Sequence, residues 1–287
     1  MKKWMYVGLI SVFAIIFLVS SFFLLRYVLE SKHSADLYSG VADLVDTAEP
    51  ETLPPTTPPT DSATEPGDEP TEPKPTEPLI VPELINVVNS DTGETVRVLK
   101  RYAEVFRKNP HTVGWIQIEG TQVNYPVMQT PDYTNYYLYR DFNRDNNNHG
   151  CIYAREQCDI NKPSDNITIY GHWMRDGSMF GSLQQYKKQE YYEAHPIIIF
   201  DTMTERHTYQ IIAVFRTSAS VGKGFTYHRF VDAKNEAEFM EYVNTCKQLA
   251  MYETGHTAQY GDKLISLSTC EYSQTNGRLV IVAKRIT

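Results

Sequence analysis

The 287-residue chain is 41% hydrophobic and 12% aromatic, enough for a sizeable globular core with non-globular pieces attached. Its net charge of -8 is unevenly placed: residues 41–80 hold ten acids against the single base Lys74, so the remainder sums to about +1. No basic stripe with interleaved aromatics marks a nucleic-acid binder, and four cysteines (Cys151, Cys158, Cys246 and Cys270) without a Cys-x2-Cys pair exclude a disulfide scaffold and a common zinc pattern.

In chain order, Trp4 to Leu25 is a run of 22 residues without a charge, preceded by Lys2 and Lys3. About 20 apolar residues span a bilayer as a helix, and lysines on the short side predict a cytoplasmic N-terminus. A cleavable leader fits less well, because the run exits through Phe22-Phe23-Leu24-Leu25-Arg26 without a small-x-small site. Residues 1–3 are therefore read as a cytoplasmic tail, 4–25 as the anchor, and 26–48 as a juxtamembrane segment that continues the helix briefly. Residues 49–78 are crowded with Pro, Thr, Glu and Asp and contain no aromatic residue. Such a segment cannot bury enough apolar area to order itself, and at roughly 3.1 Å per residue it would form an extended stalk of about 90 Å. Residues 79–287 are the expected folded domain outside the membrane.

Within that domain, Glu94 to Lys108 places Val98, Tyr102, Val105 and Phe106 at helical spacing, and Asn109-Pro110 ends the run. Short strand-like runs follow at Val113–Ile118, Val123–Met128, Gly150–Tyr153, Asn166–Tyr170, Ile197–Asp201 and Arg206–Thr217, then Lys263–Thr269 and Arg278–Arg285. Between them, Asp232 to Tyr252 reads as a helix with Phe239, Met240, Val243, Cys246 and Leu249 along one side. Eight short strands with few crossovers indicate a mainly β fold, a closed or nearly closed barrel decorated by an N-terminal helix and a long helix before the last strand pair.

The chemistry concentrates at strand ends. Leu264-Ile-Ser-Leu-Ser-Thr-Cys270 is an apolar strand ending on a cysteine. A free thiol has a pKa of about 8.5 and needs nearby positive charge or a base to become a nucleophile. Taken alone, Cys270 would more often be a small buried hydrophobe. Arg278, however, opens the next apolar strand after a short loop, so a hairpin would set Cys270 and Arg278 side by side. Ile167-Thr-Ile-Tyr-Gly-His172 is a third strand of this kind, the only one of eight histidines to close an apolar strand. The sequence calls for no cofactor and no metal.

Tyr-Gly-His172, Ser-Thr-Cys270 and Arg278 together resemble the active site of the sortases. Met-Arg-Asp-Gly-Ser-Met-Phe-Gly-Ser-Leu after the histidine, Val113-Gly-Trp-Ile-Gln-Ile-Glu-Gly-Thr121, Tyr125-Pro-Val127, and Tyr136-Tyr-Leu138 followed by Asp141-Phe142 resemble class B in particular. The likeness runs from about residue 94 to the C-terminus. It implies an eight-stranded sortase-type barrel and a membrane-held enzyme on the outer face of a Gram-positive cell. The implied reaction cleaves a sorting-signal peptide at a Thr-Gly or Thr-Asn bond and transfers it to a peptidoglycan amine.

In that reading Cys270 is the nucleophile, His172 the acid and base, and Arg278 an oxyanion or substrate donor. Ser268, Thr269 and the backbone N–H of Glu271 are further substrate-binding candidates. Trp173, where the class usually has a small polar residue, is read as part of the pocket rim, and residues 217–231 are expected beside the groove. No side chain that would orient His172 is evident. A class B-like pilin polymerase using a lysine amine is the alternative, and a wall-binding module with a structural cysteine is a distant third. A papain-like hydrolase is disfavoured because cysteine precedes histidine in that fold. A disulfide between Cys151 and Cys158 is left open.

Overall fold

The computed structural model describes residues 2–45, 82–220, 222–273 and 275–287. The proposed stalk at 49–78 lies outside them. Helix α1, Lys2–Ala42, is one continuous rod. Its side chains are exposed from Trp4 to Leu29, and it is the one helix among the described residues long and apolar enough to cross a membrane.

The far end of α1 behaves differently. Beyond Leu29 the exposed stretch gives way to Ser34, Tyr38 and Val41, spaced to share one face, and all three are buried against the folded domain. Tyr38 donates its hydroxyl to the Gly150 carbonyl at 2.5 Å, lies 3.2 Å from the Cys151 sulfur, and meets the Tyr125 ring edge-on at 5.5 Å. Glu30 accepts from the backbone and side-chain amides of Asn148 at 2.9 and 2.8 Å, and Ser31 donates to Asp176. The segment after the apolar run thus continues the helix to Ala42 and packs on the folded domain.

Eight strands form a closed barrel: β3 (Thr112–Gln117), β4 (Asn124–Met128), β5 (Ile152–Ala154), β6 (Asn166–Tyr170), β7 (Ile197–Thr202), β8 (Thr208–Ser218), β9 (Leu264–Glu271) and β10 (Gly277–Arg285). They match the eight expected runs to within two residues at each end. The order around the barrel is β10-β8-β7-β3-β4-β5-β6-β9, closed by β9 against β10. The β4–β5 and β6–β9 pairs are parallel and the others antiparallel.

One expectation fails. The first half of Glu94–Lys108 is not helical: Leu84–Val88 (β1) pairs antiparallel with Thr95–Leu99 (β2), and only Ala103–Lys108 forms α2 after a short 3-10 turn. Thr95-Val-Arg-Val-Leu alternates β-branched and polar residues, which suits a pleated strand as well as a helix. The turn between the strands decides it, because the Asn89 side chain accepts from the amides of Asp91 and Thr92, and Gly93 adopts a left-handed φ of 75°.

Alternate residues of the last two strands serve two cores. Ile265, Leu267, Leu279 and Ile281 join the large cluster of the barrel, whereas Leu264, Val280 and Val282 pack beneath α4 (Glu236–Leu249). Asn235 caps α4 by accepting from the Glu238 amide, and Phe239, Tyr242, Val243 and Cys246 supply the buried stripe. Leu249, expected on that stripe, is 41% exposed, and the helix stops at Ala250. All four cysteines are free thiols; burial raises Cys158 to about 11 and Cys246 to about 12.

If the end of α1 is part of the domain, Tyr38→Ala removes a buried ring and two polar contacts. The expected cost is roughly 3 kcal/mol. It would appear as a lower unfolding midpoint of the full chain in detergent micelles, followed by near-ultraviolet circular dichroism.

Candidate active site

Three strand ends converge. In the parallel β6–β9 pair, Tyr170 stands opposite Ser268, and the ladder is prolonged by the Gly171 amide donating to the Ser268 carbonyl at 3.2 Å. His172 and Cys270, each two residues beyond that pair, therefore lie at the same level. In the antiparallel β9–β10 pair, Cys270 is the direct register partner of Arg278. Gly171 has no room for a side chain: a Cβ there would lie 2.5 Å from Ile152 and 2.6 Å from Phe180.

His172 is oriented by a backbone atom. Its Nε2 lies 2.6 Å from the carbonyl oxygen of Leu138, and the Tyr139 ring sits 5.4 Å away across the other side. Burial, partly offset by the Leu138 bond and reinforced by the charge of Arg278, holds the imidazole below its ordinary pKa. The ring is thus neutral at neutral pH, with its proton on Nε2 and the lone pair on Nδ1. Arg278 is steadied by its own hairpin, donating to the carbonyls of Gly277 at 2.9 Å and Asn276 at 3.4 Å. Cys270 is the least buried of the four cysteines. Burial, then the neighbouring Cys270, pushes the Tyr272 phenol up.

These residues line a groove of about 290 Å³. Of the seven residues named from sequence, His172, Ser268, Thr269, Cys270 and Arg278 border it and Trp173 and Glu271 do not. The Ser268 hydroxyl shares a 2.5 Å hydrogen bond with Tyr227. Thr269 is buried, and its hydroxyl has no hydrogen-bond partner among the described residues. Glu271 turns its carboxylate into an ion pair with Lys187 at 2.6 Å and a bond to Ser273, which hold it below the usual carboxylate range despite burial. Trp173 stands just outside, its ring 5.1 Å from that of Tyr272.

The groove also contains residues the sequence did not single out: Asn135, Leu138, Tyr153 and Arg155. Ala219, Tyr227 and His228 come from the segment 217–231 expected there. Arg155 reaches the Tyr170 hydroxyl at 3.4 Å, and with Arg278 it makes the groove cationic. Burial first, then Arg155, Arg229 and Arg278, lower the pKa of His228. The signal for Asn135 and Leu138 was the tyrosine-dense run Tyr136-Tyr137-Leu138-Tyr139, a 3-10 turn started by Asn135 at a left-handed φ of 56°.

The family model of the sortase domain matches residues 116–286. The chain is 32% identical to sortase B of Staphylococcus aureus over 192 residues, covering 66% of this chain and 76% of the relative. It is 30% identical to sortase B of Listeria monocytogenes over 203 residues, covering 70% of this chain and 77% of the relative. Among solved structures, a Staphylococcus aureus sortase B–substrate complex superposes with a TM-score of 0.61 at 31% identity, over 66% of this chain and 86% of that one.

Two outcomes are expected of this geometry. Gly150 has a left-handed φ of 58°, and a Cβ there would lie 2.5 Å from the Leu138 oxygen. Gly150→Ala should displace that carbonyl from His172 and, because the bond favours the protonated ring, lower the His172 pKa in an NMR titration. His149, His172 and His228 all have folded pKa values depressed by burial. The unfolded chain therefore binds more protons below about 6.5. Stability conferred by these neutral rings is present above that value and lost as pH falls through the folded ones. The unfolding midpoint should drop between about pH 7 and pH 5, and His149→Gln should flatten the drop.

Proposed function

The chain belongs to the sortase family, in its class B, and from that membership and the convergence of Cys270, His172 and Arg278 we propose the following reaction. The enzyme, a cysteine transpeptidase, cleaves the C-terminal sorting signal of surface proteins at a Thr-Gly or Thr-Asn type bond. It then transfers the threonine carbonyl to a peptidoglycan amine. The observation that carries this reading is the register of β9, which sets the thiol opposite a guanidinium on one side and level with the histidine on the other.

Each proton has a place. His172, neutral and with Nδ1 bare, takes the Cys270 proton as the sulfur attacks the threonine carbonyl. Arg278 donates to the oxyanion that develops, in a groove where Arg155 adds a second positive charge. Collapse of the tetrahedral species breaks the C–N bond, and the imidazolium returns its proton to the departing amine. A thioacyl enzyme remains. The incoming amine attacks that carbonyl, His172 removes its proton, and the new amide leaves as the thiol is restored. Asn135, Tyr227 and His228 line the path a peptide would follow, and Ser268 is held by Tyr227 rather than directed at substrate.

α1 is the membrane anchor in this reading, with its lysine-flanked start in the cytoplasm and the barrel outside the cell.

The test incubates the full chain with a panel of sorting-signal pentapeptides and candidate amines, and mass spectrometry reads the adduct on Cys270 and the product. Cys270→Ala should give neither, and retained turnover in that variant would overturn the assignment. His172→Ala should cost about a hundredfold or more, and Arg278→Ala about a hundredfold to a thousandfold in kcat. Product with a pilin lysine peptide but not with a peptidoglycan amine would select the pilin polymerase reading.

A further inference from the structure

A second groove adjoins the active site and is built from two distant parts of the chain. Phe23, Leu24 and Tyr27 of α1 form one wall, and Trp173, Met174 and Arg175 with Tyr272 form the other. Trp173 directly follows His172, and Tyr272 is two residues beyond Cys270, so the second wall is the outer rim of the catalytic groove. Tyr272 is 72% exposed, and Phe23 and Leu24 are 62% and 64% exposed.

The first wall fixes the level of the second. Residues Trp4 to Leu25 are the charge-free run, and 22 residues rise about 33 Å as a helix. That length is only slightly more than the roughly 30 Å of a hydrocarbon core. If this run spans the bilayer, there is little slack to slide α1 outward, and Phe23 and Leu24 must sit at the outer hydrocarbon boundary. Arg26 and Tyr27 then mark the headgroup level. Side chains facing Phe23, Leu24 and Tyr27 share that level. They are of the type that favours it: a tryptophan and a tyrosine with polar edges, a methionine, and an arginine that can meet lipid phosphate. The docked end of α1, held by Glu30, Ser31, Ser34 and Tyr38, keeps the barrel from pivoting away.

We propose that Trp173, Met174, Arg175 and Tyr272 are seated on the outer surface of the lipid bilayer, so that the catalytic groove opens at the level of the headgroups. This rests on α1 crossing the membrane. It gives Trp173 a role as a lipid contact and makes the site a reader of peptides and amines presented at the membrane surface rather than far out in the wall.

The full chain is reconstituted in vesicles of phosphatidylglycerol and phosphatidylcholine brominated high on one acyl chain, and tryptophan emission is compared with that in unbrominated vesicles. The chain has three tryptophans, Trp4, Trp115 and Trp173, and Trp115 is buried against Tyr102 inside the barrel. Trp4→Phe leaves Trp115 and Trp173, and Trp4→Phe with Trp173→Phe leaves only Trp115. The expected result is that bromolipid removes most of the emission by which these two proteins differ. Near-ultraviolet circular dichroism verifies that the variants are folded. Trp173→Phe alone reports insertion of α1 through Trp4. Quenching of Trp4 without quenching of Trp173 would overturn the seating while leaving the anchor intact. Absence of both would overturn it together with the anchor on which it depends.

Discussion

Everything at the candidate site depends on β9 being paired along both edges at once. Its parallel bond to β6 spans nearly a hundred residues of chain and brings His172 level with Cys270, and its antiparallel bond to β10 delivers Arg278. Neither neighbour could be moved by one residue without turning its side chains to the opposite face. That register is held by two separate cores: Ile265 and Leu267 point into the barrel, while Leu264 packs under α4 and Ser266 bonds to Tyr242 and Asn166. A slip would bury the serines among aliphatic side chains and leave their hydroxyls without partners.

Around this frame the groove's electrostatics oppose its own protonation. His172 and His228 are half-buried beside Arg278 and Arg155, and desolvation and neighbouring charge act in the same direction on both rings. The His172 imidazole is therefore neutral at neutral pH, and its orientation comes from the Leu138 carbonyl rather than a carboxylate. The nearest acid along β9, Glu271, is turned away and tied to Lys187. A carboxylate in that groove would pull the ring's pKa up and leave less of it neutral near pH 7.

The barrel was legible because its strands are short apolar runs separated by polar loops, as strands buried on both faces must be, and because Cys270, His172 and Arg278 each sit at a strand terminus. Other features were not legible, for identifiable reasons. Val98 fits a helical period with Tyr102 and Val105 and a strand period with Val96 alike, and the arbiter was an Asn89–Gly93 turn lying outside the window read. Leu138 acts through a carbonyl, which every residue possesses. Glu271 and Trp173 are close to the catalytic residues in sequence, but strand alternation points one to the other face and the loop after His172 carries the other to the rim. The stripe Ser34, Tyr38, Val41 is too short and too polar to stand out after so long an apolar run, although it fastens the rod to the barrel.

The parallel β6–β9 contact also bears on how the protein comes into being. A strand that must wait for a partner almost a hundred residues downstream pays a large loop-closure entropy before any contact rewards it, so closure of the barrel is a late and slow event in folding. The last two strands are also made after the other six. Until they insert, β6 and β8 present open edges and the histidine has no thiol beside it. A chain cut short before β10 therefore lacks both the barrel's final stave and the Arg278 guanidinium of the groove.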